Sequence, residues 1–264
     1  MFEGLMEKKD LVNAVMKATG TMVKDTSDRT NEVVFMETFK HLVDEAHADD
    51  RLAVVLTFDP HPDVVLQDIT DRYYLTTPEQ RAQLLGDMGV DVVVTHPFDA
   101  SVREIRAEDF VDKLLASLNM TCLRVGIDFA LGYQREGDVD YLRELGIQKG
   151  YELRPIDLIK LSADEDNISS SRIRQLLRSG DILKANDLLG RPYTVTAKVI
   201  EGDQRGRTIG FPTANMDVWD QQVLPAQGVY AGWATLDDEQ FMAVANLGVR
   251  PTFDGHSLSL EPYL

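Results

Sequence analysis

The sequence predicts an α/β domain of Rossmann-like type followed by a small antiparallel β-barrel. Between residues 52 and 183, short apolar runs alternate with amphipathic stretches of helix length, the pattern of a parallel sheet covered by helices. After Gly190-Arg191-Pro192 that alternation stops, and only strand-length segments separated by turns follow. A chain of 264 residues has room for two such domains, placed here at 1–183 and 184–264.

The elements follow in order. Leu52-Ala53-Val54-Val55-Leu56-Thr57-Phe58 is an unbroken apolar run, as expected of a parallel strand buried on both faces, and Asp59-Pro60-His61-Pro62 ends it with two prolines. Thr77-Pro78 reads as an N-cap with proline at the first helical position, with Leu84, Leu85 and Met88 turned inward. Residues 91–95 form a second strand, a helix runs through Phe110, Leu114 and Leu115, and a third strand covers 123–126. A helix over 141–145 and two short helices from Ser171 and Asp181 complete the domain. In such sheets ligands bind beyond the carboxyl ends of the strands, where Asp59, His61, Asp128 and Phe129 fall. In the second domain, residues 193–200, 228–236 and 241–247 read as strands.

Composition sets limits. The chain is 44% hydrophobic and 27% charged, with no long apolar run for a membrane span and no export signal at its start. The single cysteine, Cys122, excludes an internal disulfide and reads as a buried thiol, which fits a reducing cytoplasm. A net charge of −17 argues against nucleic-acid binding but leaves room for a small anionic ligand in a local pocket. Arginines 172, 174, 178, 191, 205 and 207 gather cations into one part of this acidic chain.

Gly206-Arg207-Thr208-Ile209-Gly210-Phe211-Pro212-Thr213-Ala214-Asn215 carries the strongest chemical signal. Glycine lets backbone amides approach a phosphate closely, and arginine adds a forked cation. Thr213 and Asn215, two residues apart, offer oxygen ligands for magnesium; the other reading of the segment is a β-turn leading into a strand.

Six strings together resemble the bacterial bifunctional riboflavin kinase/FMN adenylyltransferases, also called FAD synthases. They are residues 56–62, 126–132, 168–174, 189–193, the 206–215 loop, and Gly248-Val249-Arg250-Pro251-Thr252-Phe253, in the family's order and spacing. The resemblance, which runs from about Leu42 to the end, implies a Rossmann-like nucleotidyltransferase domain and a kinase barrel. The barrel would transfer the γ-phosphoryl of ATP to riboflavin, giving FMN, and the α/β domain would adenylylate FMN to FAD. ATP is the co-substrate and magnesium serves both steps.

By the same resemblance Thr213 and Asn215 hold magnesium, and Gly206, Arg207 and Gly210 cover the phosphates. Glu261 in Leu260-Glu261-Pro262-Tyr263-Leu264 is the general base of the phosphoryl transfer; by itself it would read as a surface acid. Asp128, Phe129, Ser170, Ser171 and Arg174 contact nucleotide, and Asp59 and His61 edge the flavin or nucleotide pocket. Without the resemblance, Ser170 would N-cap its helix, Asp128 would be a turn residue and Phe129 core.

Two departures qualify it. The family's Gly-x-Phe-Asp-Gly-x-His-x-Gly-His string should fall near Thr30–Phe35, where this chain has neither glycine nor histidine, and residues 1–35 match nothing in the family. Pro262 and Tyr263 stand where the family has a small apolar residue and a histidine, and the family runs several dozen residues past the equivalent of Leu264. The barrel is therefore expected to be incomplete, and a fragment or a nucleotide-binding pseudoenzyme is the alternative to a working enzyme. Oligomeric state is not legible.

Overall fold

A computed structural model describes residues 40–156, 169–200, 214–252 and 255–264. They group into two compact units, one of residues 37–70 and 78–168, the other of 71–77 and 169–264.

The first unit is built from two parallel strand pairs and the helices between them. Residues 40–48 form helix α1. Strand β1, Val54–Phe58, ends before Asp59 as the prolines dictate, and pairs in parallel with β2, Val92–His96. Between them lie α2 (Pro62–Leu66) and α3, which starts at Pro78 as expected and ends at Asp87. Helices α4 (Ala100–Arg103) and α5 (Ala107–Leu118) precede β3, Cys122–Gly126. A two-stranded ribbon, β4 (Ala130–Leu131) with β5 (Gly137–Asp138), leads into α6, Val139–Lys149, and then β6, Glu152–Ile156. Strands β3 and β6 pair in parallel.

The β3–β6 pair sits on the unit's core. Val111, Leu142, Leu145 and Tyr151 are buried together, with Leu115, Leu123 and Leu153 against them. Burying a side chain such as Leu142 contributes roughly 1.5–3 kcal/mol, and the Tyr151 hydroxyl satisfies itself by donating to the Leu142 carbonyl at 2.7 Å. Phe110 of α5 reaches Phe58 at the end of β1, with ring centroids 6.3 Å apart.

Three expectations are corrected here. β1 is not buried on both faces: its residues are half-buried and Val54 is exposed. Cys122 is half-buried and opens β3. The helix expected over 141–145 extends a full turn beyond at the end, capped by Asp138, whose carboxylate accepts from Tyr141 N–H at 2.9 Å.

The second unit joins helices α7 (Ser170–Ser179) and α8 (Ile182–Leu189) to a five-stranded antiparallel sheet. Its strands are β7 (Lys198–Ile200), β8 (Asn215–Asp217), β9 (Gly228–Leu236), β10 (Glu239–Thr252) and β11 (Gly255–Tyr263), in the order β7-β8-β11-β10-β9. Among the described residues β7 and β9 are open edges and no barrel closes, in keeping with an incomplete barrel. The strand expected over 193–200 shortens to 198–200: the Tyr193 N–H is taken by the Asn186 side chain at 2.8 Å, leaving it outside the ladder.

Residues 71–77 run into this unit as a strap. Tyr73 and Tyr74 N–H both donate to the Gln221 carbonyl, at 2.8 and 3.0 Å, and Val223 N–H returns a bond to Tyr74. Arg72 donates to the carbonyls of Trp219 and Gln222, and Arg178 donates to that of Arg72 at 2.6 Å. Gln222 is fully buried and its amide donates to Thr194 O at 3.1 Å, as a buried amide must find partners.

Candidate active sites

In the second unit the β8–β11 register brings two predicted residues together. Met216 lies opposite Leu260 in an antiparallel pair, so Asn215 lies opposite Glu261 and Ala214 opposite Pro262. Ala214 N–H donates to Pro262 O at 2.9 Å, which continues the ladder through this register. Opposed residues point to the same face with Cβ atoms about 4.5–5.5 Å apart. The row extends outward: Ile200 is opposite Asn215, and Asn246 is opposite Glu261 on the other side. Ala243 and Leu247, whose side chains alternate with that of Asn246, are buried on the opposite face. An amide and a carboxylate thus stand side by side on the face away from Ala243 and Leu247: an oxygen donor at Asn215 and a proton acceptor at Glu261. Gly206, Arg207, Gly210 and Thr213 lie outside the described residues.

In the first unit the carboxyl end of β3 opens onto a shallow groove of about 370 Å³ lined by Asp128, Phe129, Arg135, Asp138 and Asp140. Asp128 and Phe129 are both exposed here, so Phe129 is not a core residue. Arg135 donates to the Asp128 carbonyl at 3.1 Å and sits at a positive φ of 60°. Gly132, in the turn between Leu131 and Arg135, packs on the start of α5, where an added Cβ would come within 2.5 Å of the Ala107 nitrogen. Glu136 fastens the same turn: its carboxylate accepts from Arg106 Nε and from Ala107 N–H at the start of α5. Those two bonds, Arg106 first, hold the Glu136 carboxyl below the ordinary glutamate range.

At the end of β1, Asp59 N–H donates to His96 O at 3.1 Å, carrying the β1–β2 pairing one residue further. His61 caps α2, its Nδ1 accepting from Asp63 N–H at 3.1 Å. A neutral ring held that way carries its proton on Nε2.

The start of α7 differs from expectation. Its cap is Ser169, whose hydroxyl accepts from Arg172 N–H at 3.3 Å, and not Ser170. The chain enters helical geometry one residue later than the first serine of the run, which leaves Ser170 and Ser171 exposed in the first turn. Arg174 reaches the strap instead of the helix start: Nε donates to Tyr73 O at 2.6 Å, with the guanidinium 3.7 Å from the centre of the Tyr73 ring. Sequence reading missed Arg135, Asp138 and Asn246, none of which carries a local motif.

Residues 36–172 match the FAD synthetase family, and residues 189–264 match the riboflavin kinase family. The chain is 39% identical over 212 residues to the bifunctional riboflavin kinase/FMN adenylyltransferase of Listeria monocytogenes, covering 80% of this chain and 67% of that protein. The chain belongs to this family.

The corresponding proteins of Escherichia coli K12 and Bacillus subtilis 168 are 34% and 35% identical, with 71% and 62% of their lengths covered. The chain therefore spans about two thirds of the length of these FAD synthases. A crystal structure described as a macrolide-efflux protein from Streptococcus pneumoniae aligns with a TM-score of 0.76 and 26% identity, over 88% of this chain and 76% of that one. Among the described residues, no helix is long and apolar enough to cross a membrane.

Proposed function

We propose that this FAD synthase phosphorylates riboflavin to FMN in its second unit and adenylylates FMN to FAD in its first. The single observation that carries the reading is the placement of Asn215 opposite Glu261 on neighbouring strands. The two residues are far apart in sequence, and the family resemblance proposes a role for each.

In the phosphoryl step, Glu261 accepts the proton of the ribityl 5′-hydroxyl as its oxygen bonds to the γ-phosphorus. The bond to the β–γ bridging oxygen breaks and ADP leaves. A positioned carboxylate base contributes roughly 10²–10⁴-fold. Asn215, with Thr213, would hold a magnesium ion, which when bound neutralises charge on the phosphoryl oxygens. Gly206, Arg207 and Gly210 supply the loop over the phosphates.

In the adenylyl step an FMN phosphate oxygen attacks the α-phosphorus of ATP and pyrophosphate leaves. Asp128 and Phe129 take the nucleotide in the groove at the end of β3, Phe129 offering an exposed ring to a base. Asp59 and His61 edge the pocket by the same resemblance. Ser170 and Ser171, exposed in the first turn of α7 in the second unit, are candidates for phosphate contact by the family resemblance alone. By the family resemblance the adenylyltransferase part is 1–183 and the kinase part 184–264, a division that differs from the compact units over 71–77 and 169–183; the resemblance also points to action in the cytoplasm.

A second reading has its own observation. With neither glycine nor histidine between residues 30 and 35, the first unit lacks the family's transition-state donors there and would bind nucleotide without transferring it. Flavin chromatography after incubation with MgATP, once with riboflavin and once with FMN, separates the two. FMN from riboflavin with FAD from FMN supports both activities; FMN alone supports the kinase and the second reading for the first unit. No product from either, with the fold intact, rejects the proposed chemistry.

A further inference from the structure

Asn246 stands in a place that the sheet alone does not explain. β10 is flanked on both sides, by β9 and β11, over the stretch that contains it. Asparagine is among the residues least suited to a strand interior, because its amide competes for backbone groups and its side chain packs poorly on a pleated surface. Here it is exposed, and among the described residues its amide enters no hydrogen bond.

Its surroundings are cleared as well. Gly248, next along the strand on the same face, has no positive φ that would demand glycine, and a Cβ there would sit 3.6 Å from the Asn246 Nδ2. Ser259 is opposite Gly248, and its hydroxyl donates to the Gly248 carbonyl at 3.4 Å. The polar face thus has a low floor of Gly248 and Ser259. Glu261 and Asn246 face each other one row away, with Asn215 beyond Glu261.

We infer that Asn246 is a substrate-recognising residue whose amide binds the hydroxyls of the flavin's polyol chain and presents the terminal hydroxyl to Glu261. A side-chain amide offers two donors and an acceptor, the complement of a run of hydroxyls that both give and take hydrogen bonds. The inference rests on the kinase reading of this face and adds a specificity determinant to it.

Flavin fluorescence titrations of the whole chain test it with two probes: riboflavin, and lumiflavin, which has the same ring system with a methyl group in place of the polyol. The wild-type chain should prefer riboflavin, and Asn246→Ala should lose about 3- to 10-fold in riboflavin affinity while lumiflavin is unmoved. Asn246→Ser, which keeps a hydroxyl, should recover part of the preference. Where turnover is measured, riboflavin KM should rise with kcat within about 2-fold, a split not expected if the strand were merely disturbed. A riboflavin preference that survives Asn246→Ala overturns the inference and leaves the kinase reading standing. So does a wild-type chain that binds both probes equally. A folded wild-type chain that binds neither flavin overturns both.

Discussion

The guanidinium of Arg174 lies 3.7 Å from the centre of the Tyr73 ring while its Nε donates to the Tyr73 carbonyl at 2.6 Å. One side chain therefore supplies a cation–π contact and a charge-assisted hydrogen bond to the same residue of the strap. Arg174→Ala should lower stability by about 1–3 kcal/mol in urea denaturation, and Arg174→Lys should rescue little because an ammonium cannot stack and donate in that geometry. ATP titration of the same variants separates this structural role from the phosphate role. An unchanged urea midpoint with weakened ATP binding would mean that the strap contact is incidental.

Gly132 lets the turn after β4 close on the start of α5. Its φ is 81°, and a Cβ would meet the Ala107 nitrogen at 2.5 Å and Ala107 Cα at 2.6 Å. Backbone atoms cannot swing aside as a side chain can. Gly132→Ala should cost about 1–3 kcal/mol from the left-handed backbone alone, and more from the clash. Calorimetric ATP binding should weaken along with the thermal midpoint; a variant as stable as the wild type would contradict the packing.

Glu136 links acid sensitivity to α5. Its carboxyl is held below the ordinary value by Arg106 and by Ala107 N–H. A carboxyl whose folded pKa is depressed stabilises the fold above its unfolded pKa and loses that contribution as pH falls through the folded one. Glu136→Gln should therefore flatten the stability profile below about pH 4.5 relative to the wild type. Parallel acid-side slopes in the two proteins would refute the link.

Tyr193 sets the alkaline limit. Burial pushes its phenol up to about 12, while the hydroxyl donates to Val223 O at 2.6 Å. A phenol with a raised folded pKa stabilises fully below the unfolded value near 10, and the contribution disappears as pH rises towards 12. Tyr193→Phe should cost about 1–3 kcal/mol at neutral pH by orphaning that carbonyl, and should show a shallower loss of stability between pH 10 and 12. Equal alkaline slopes would show that another group controls that limb.

Local chemistry made much of the fold legible. Two prolines after Phe58, a proline at Pro78 and a glycine after each of α7 and α8 are punctuation that acts where it stands. β6 escaped because Glu152-Leu153-Arg154-Pro155-Ile156 mixes charge and proline into a strand that its pairing with β3 imposes. The strap was invisible because its partners, Gln221, Gln222 and Trp219, lie about 150 residues away along the chain. Glu261 was reached only through resemblance to FAD synthases, and Asn246 by no route but register. Which residues stand opposite across a ladder is a property of pairing between distant segments.

The phosphoryl-transfer rate of Glu261→Gln tests the account most directly, measured as FMN formed from riboflavin and MgATP beside the wild-type chain. The amide keeps the shape of the side chain and its place opposite Asn215 but cannot take a proton. Turnover should fall about 10²–10⁴-fold with riboflavin affinity preserved. A variant that makes FMN at the wild-type rate would contradict the assignment of this strand row as the kinase site.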